Sequence, residues 1–323
     1  MFSSNQTFSS VNSSYASLQI DEWNAVQQRF INQLPLVITI LGLIGFIGNF
    51  FTFLQPALRN NSFCIYTLLA SFVDIINLFV NLFPLYLNPS AGNLTATITN
   101  GLICKLKIFG LMFLPQLSLN LLILSLIDRY ACTFGPTTRL YQLLQLRTVP
   151  RLVLITVIIT CVLSFFSPLM YDVIPGFGCV TKYTIANPMI YTVVHGIVTP
   201  TTMLIFVFLT YRRFVQRRGR IGVVVVTNKD RRRNQFIGTV FTQVFVSSFF
   251  VWLWTGTYWY FLTIQNSKRS AEEWAIVNFL LSLTNNLYYL INVRSFYLST
   301  LTSRLFRETM VASFLKLLRR NFH

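Results

Sequence analysis

Charge is what this sequence has least of: 11% of its 323 residues are Asp, Glu, Lys or Arg, and only nine of them are acids. A soluble domain carries about 25% charged residues. With 54% hydrophobic residues beside so little charge, water is excluded as the solvent for most of the chain. Histidine is scarce too, with two residues, and neither a His-Glu-x-x-His nor a Gly-x-Ser-x-Gly motif occurs. An intramembrane enzyme would need a nucleophile and base or a metal cluster buried together, so enzymatic function is not expected. Five cysteines are too few for a disulfide framework in a chain this long. Residues 1–29 lack a basic flank followed by an apolar core, so no cleaved signal peptide is expected there. Basic residues are in excess, giving a net charge of +17, but they interrupt long apolar runs instead of covering a soluble face. Nucleic acid is therefore not the expected partner.

What is present is seven apolar stretches, at 34–54, 63–87, 102–130, 152–171, 188–211, 236–264 and 274–298. Crossing hydrocarbon takes about 20 residues, because backbone amides without water must pair inside a helix. Loops of turn formers or charge separate the stretches, as at Arg59-Asn60-Asn61 and Pro89-Ser90-Ala91-Gly92. The expected architecture is an all-α integral membrane protein: a tail over 1–33, a seven-helix transmembrane bundle over 34–298, and a second tail over 299–323. Between Arg304 and Arg320 basic residues alternate with Leu305, Phe306, Met310, Phe314, Leu315 and Leu318, the pattern of a short amphipathic helix lying on lipid.

Orientation follows from Lys and Arg. With the N-terminus outside, 19 of them lie on the cytoplasmic side and six on the outer side, while Arg294 falls within the seventh stretch. Nine sit between Arg212 and Arg233, a loop suited to an acidic partner or anionic lipid, although topology alone also produces such a bias. This orientation puts the glycosylation sequons at Asn5, Asn12 and Asn93 outside. It also brings Cys104, at the start of the third stretch, and Cys179, in the loop before the fifth, to an oxidising face where they can pair.

Ionisable side chains in a bilayer are costly, by roughly 2.5–3.5 kcal/mol on insertion scales, and each one is a functional candidate. Asp74 lies mid-stretch, with Asn49, Ser118, Asn285 and Asn286 at similar depth. Such a carboxylate can hold a sodium ion or act as a buried hydrogen-bond hub; protonated and satisfied by one neighbour, it is merely structural. Asp128-Arg129-Tyr130 closes the third stretch, where a neighbouring acid can hold the arginine until a partner takes it.

Together these residues resemble the rhodopsin-like (class A) G-protein-coupled receptors over nearly the whole chain. Gly48-Asn49, Asp74, Cys104 and Asp128-Arg129-Tyr130 fall in register with the family's marks, as do Ser118, eleven residues before Arg129, and Pro168 and Pro200. The resemblance implies a plasma-membrane receptor whose switch residues Asp128, Arg129 and Tyr130 meet a heterotrimeric G protein. It further implies a sodium or polar site at Asn49, Asp74 and Ser118, and a Cys104–Cys179 disulfide. Departures mark a divergent branch. The family's tryptophan near Ile158 is missing, and Gly256 stands where a proline follows the aromatic pair Phe250 and Trp254. Ser295-Phe296-Tyr297-Leu298-Ser299 replaces Asn-Pro-x-x-Tyr, and no acid near Phe236 can partner Arg129.

Leu111 occupies the position of the aspartate that binds charged amines, and the seventh stretch has no lysine for retinal. The candidate pocket is Leu111, His195, Trp254 and Tyr258. Aromatic residues also form interfacial belts, and His195 reads equally as a helix-packing residue. An extracellular peptide fits slightly better than a small odorant-like molecule. The rival class is a transporter or channel, which calls for charged mid-membrane pathways or inverted repeats; one mid-membrane acid and no repeat are found.

Overall fold

The computed structural model describes residues 25–26, 29–56, 58, 61–87, 100–134, 138–175, 178–183, 186–220, 228–265 and 267–321. The sequons at Asn5, Asn12 and Asn93 lie outside them. Six helical stretches are long and apolar enough to cross a membrane: Ile31–Phe53, Ser62–Leu87, Gly101–Ala131, Leu146–Met170, Ala186–Gln216 and Ile237–Ile264. We call these spans one to six; the chain is a multi-pass membrane protein. A seventh helical stretch follows in pieces, as Ala271–Tyr288, a 3-10 turn at Tyr289–Asn292, and Arg294–Thr302. It is more polar than the six and is not among them.

Three helix starts are set by short polar side chains. Asn61 accepts from the amide of Phe63 at 3.2 Å, and Asn100 from those of Leu102 and Ile103. Ser270 and Glu273 form a reciprocal capping box ahead of the seventh stretch. Two irregular turns adjoin a proline, which has no N–H and pushes away the carbonyl four residues back. Pro84 leaves the Val80 carbonyl without its usual donor, and Lys107 of span three takes it. Pro200 does the same to Gly196, whose carbonyl accepts from the Trp252 indole at 3.0 Å. Each proline lies just beyond a π-helical turn, Leu78–Leu82 or Thr192–Val198. Gly256 breaks nothing: the helix runs unbroken from Asn228 to Ile264, because glycine keeps its N–H.

The inward faces meet in one core built from Leu78, Leu82, Leu119, Leu126, Met203, Val240 and Val244. Outward faces remain apolar, as along Leu154, Ile155, Ile158, Ile159 and Val162 of span four. Water would penalise such a surface, whereas lipid accepts it. Gly48 lets the seventh stretch approach span one, since a Cβ there would come within 2.6 Å of the Phe296 ring.

At one end of the bundle, strands β1 (Tyr171–Ile174) and β2 (Gly178–Thr181) form an antiparallel hairpin. Gly178 opens β2 with φ 74°, a backbone conformation other residues rarely adopt. The disulfide Cys104–Cys179 pins the hairpin to the start of span three. On the exposed side, Lys182 lies 2.9 Å from Asp172 and holds its carboxyl below the usual range, and Asp172 in turn raises the lysine. At the opposite end the helix Arg304–Asn321 follows Ser303, and buried Phe306 packs against Phe53 and Phe296. Arg307 donates to the Thr300 and Leu301 carbonyls, capping the preceding helix.

Candidate functional site

Three polar or aromatic groups lie along the bundle axis. The first is at the end opposite the disulfide. Arg129 Nη2 donates to Asp128 Oδ2 and to Asn61 Oδ1, both at 2.7 Å, and the guanidinium lies 4.9 Å over the Phe63 ring. Ser62 donates to the other Asp128 oxygen at 2.5 Å. The start of span two thus grips the end of span three at two adjacent residues. Tyr130 points elsewhere, packing edge-on against Phe134 and Phe206. Asn61 and Ser62 were not among the expected site residues, although an Asn just before an apolar helical run is a readable cap signal.

The second group is a polar column through the middle. Ser71, Asp74, Asn77 and Asn81 recur at three- or four-residue spacing and so share one face of span two. Asn49 donates to Ser71 at 2.7 Å and to Ser295 at 3.2 Å, tying span one to span two and the seventh stretch. Asn77 donates to Asn292 at 3.0 Å, and Asn81 to Asn77 at 2.6 Å and the Gly110 carbonyl at 3.2 Å. Gln243 of span six reaches Ser299 and the Ser295 carbonyl. Ser118 interacts with the Asp74 carboxyl without reaching full hydrogen-bond geometry. Of the three expected hub residues, Ser118 lies against Asp74, whereas Asn49 meets Ser71, one turn away on the same face. Asn286 instead bonds within its own helix to Ser282, and the partners on the seventh stretch are Asn292, Arg294 and Ser295. Asn292, Ser295 and Ser299, at three- and four-residue spacing, form a polar stripe on this apolar segment.

This column does not fit a sodium ion. Arg294 is buried on the segment of the seventh stretch that meets this face of span two, between Asn292, bonded to Asn77, and Ser295, beside Ser71. A mobile cation there would face a guanidinium across a single carboxylate. Among the described residues no group of three His, Cys, Asp or Glu could hold a metal.

The third group lies toward the disulfide end. Trp254 stacks on Tyr258 with ring centroids 5.7 Å apart, and its indole donates to Tyr191 at 3.1 Å. Tyr191 in turn stacks on His195 at 4.7 Å. His195 is buried, and its Nδ1 has no hydrogen-bond partner. Trp259 donates to Thr192 at 2.5 Å, so spans five and six are laced by three indole N–H bonds. Three of the four pocket candidates, His195, Trp254 and Tyr258, join through Tyr191. Leu111 packs beside Cys104, Ile108 and Cys179, under the hairpin.

A further polar chain crosses spans three, four and five. Gln116 donates to Asn120 and Thr199, and Asn120 to Thr160 at 2.8 Å. No protein-family model matches the chain, and no curated protein matches it either.

Proposed function

We propose that this chain is a seven-span receptor of the plasma membrane, N-terminus outside, that binds an extracellular ligand and activates a heterotrimeric G protein. The broken stretch over 271–302 is the seventh span in this reading. One observation carries it: span three bears Cys104, tied to the hairpin, at one end, and Arg129, gripped by Asp128 and Asn61, at the other. A helix anchored to a loop at one end and holding a charged group in a breakable clamp at the other has the parts of a two-state transmitter.

Ligand reaching the aromatic group of Tyr191, His195, Trp254 and Tyr258 bears on spans five and six, which those indole bonds join. Outward movement of span six then opens the inner end, and Arg129 exchanges Asn61 for a carbonyl or acid of the G protein. A peptide is preferred to a small odorant-like molecule on the family resemblance.

The test is second-messenger output, calcium and cyclic AMP, from cells expressing the chain against peptide and odorant libraries. A ligand-dependent signal is expected, with Arg129→Ala losing at least tenfold in stimulated output at equal surface expression, the equivalent of about 1.4 kcal/mol. Intact coupling in Arg129→Ala removes that residue's role.

A further inference from the structure

The position of Arg294 can be fixed from its neighbours. Ser71 approaches Ser295 at 3.4 Å, and Asn77 bonds Asn292 at 3.0 Å. Asp74 lies midway between Ser71 and Asn77 on the same helical face, so it faces the stretch 292–295, whose charged member is Arg294. Asp74 is 2% and Arg294 5% exposed. The two do not close to a direct ion pair; Asp74 Oδ1 and Arg294 Nε each lack a hydrogen-bond partner. Arg294 Nη1 donates to the Ile291 carbonyl, within the 3-10 turn that interrupts the seventh stretch.

A guanidinium remains protonated in proteins, and a buried charge without a counter-charge is strongly disfavoured. The other acids with described side chains cannot serve: Asp128 is engaged with Arg129 and Ser62, and Asp172, Glu272, Glu273 and Glu308 lie at helix ends or in the hairpin.

We propose that Arg294 is a tethered counter-ion for Asp74, built into the bundle where a mobile monovalent cation would otherwise neutralise the carboxylate, and that it fixes the 3-10 turn of the seventh stretch to span two. Its charge is present whatever the outside sodium concentration, so the bundle's stability does not depend on that ion. Movement of the seventh stretch, in turn, must carry the cation with it or leave a buried carboxylate uncompensated.

Thermal unfolding of the purified full chain in detergent tests this, with sodium chloride compared against choline chloride at equal ionic strength. Melting needs no ligand or G protein, so the result stands or falls separately from the receptor reading. The wild type is expected to melt at the same temperature in both salts. Asp74→Asn and Arg294→Gln should each melt several degrees lower, and the double variant should recover most of that loss, as coupled residues do. Arg294→Gln, with its carboxylate bared, should become sodium-stabilised. Sodium-specific stabilisation of the wild type overturns the proposal, as does a double variant whose loss equals the sum of the single losses. Were a single variant not to fold, the wild-type salt comparison alone would still decide.

Discussion

At the scale of single residues, Asn61 does two jobs with one oxygen. It caps span two through the Phe63 amide and accepts from Arg129. Removing it should weaken the grip on Arg129 and fray the helix start together. Asn61→Ala is expected to raise ligand-independent second-messenger output at matched surface expression and to lower stability by about 1–2 kcal/mol. Asn61→Asp keeps the cap and adds a full charge beside the guanidinium, so basal output should fall below wild type. Equal basal output in all three would show that this contact does not hold the switch. Asp128 and Arg129 were legible in the sequence because motif and position coincide. Their partner was not, because Asn60-Asn61 also reads as a turn, and no local pattern tells a cap oxygen that it will meet a side chain from 68 residues further along.

At the scale of elements, recruited carbonyls tie the helices together alongside apolar packing. Proline or a 3-10 turn frees a backbone oxygen in spans two and five and in the seventh stretch, and a long side chain takes it each time: Lys107, Trp252 and Arg294. In lipid no water can substitute. Trp252→Phe should therefore destabilise by roughly 1–3 kcal/mol by stranding the Gly196 carbonyl. Adding Pro200→Ala returns an N–H four residues on, and the double variant should melt above Trp252→Phe alone; a double that melts lower would deny the carbonyl this role. Helix placement was readable to within a few residues, as for span two, expected at 63–87 and found at Ser62–Leu87. Hydrophobic runs report where a helix fits the bilayer. They do not report π or 3-10 turns, which depend on which neighbour donates to the freed oxygen. Asn77 and Asn81 could have been found from their spacing with Asp74, whereas Asn292 and Arg294 emerge as partners only once the helices are packed.

At the scale of the whole molecule, every role proposed above depends on which end of the bundle faces out. In the proposed orientation the disulfide, which needs an oxidising compartment, sits with the hairpin at the outer end. The same orientation makes the basic segments between Arg212 and Arg233 and after Arg304 cytoplasmic, the side on which positively charged loops are retained. A six-span chain would leave its two termini on the same side, whereas in the proposed reading the seventh stretch separates them. In intact cells the sequons at Asn5, Asn12 and Asn93 should therefore be glycosylated, and an epitope appended after His323 should be stained only once the membrane is permeabilised. Deglycosylation should shift the wild-type band and leave a triple Asn→Gln variant at these positions unmoved. A glycosylated N-terminus together with an epitope stained on intact cells would put both termini outside. That would make the 271–302 stretch a re-entrant or surface element, and the seven-span reading would fall with it.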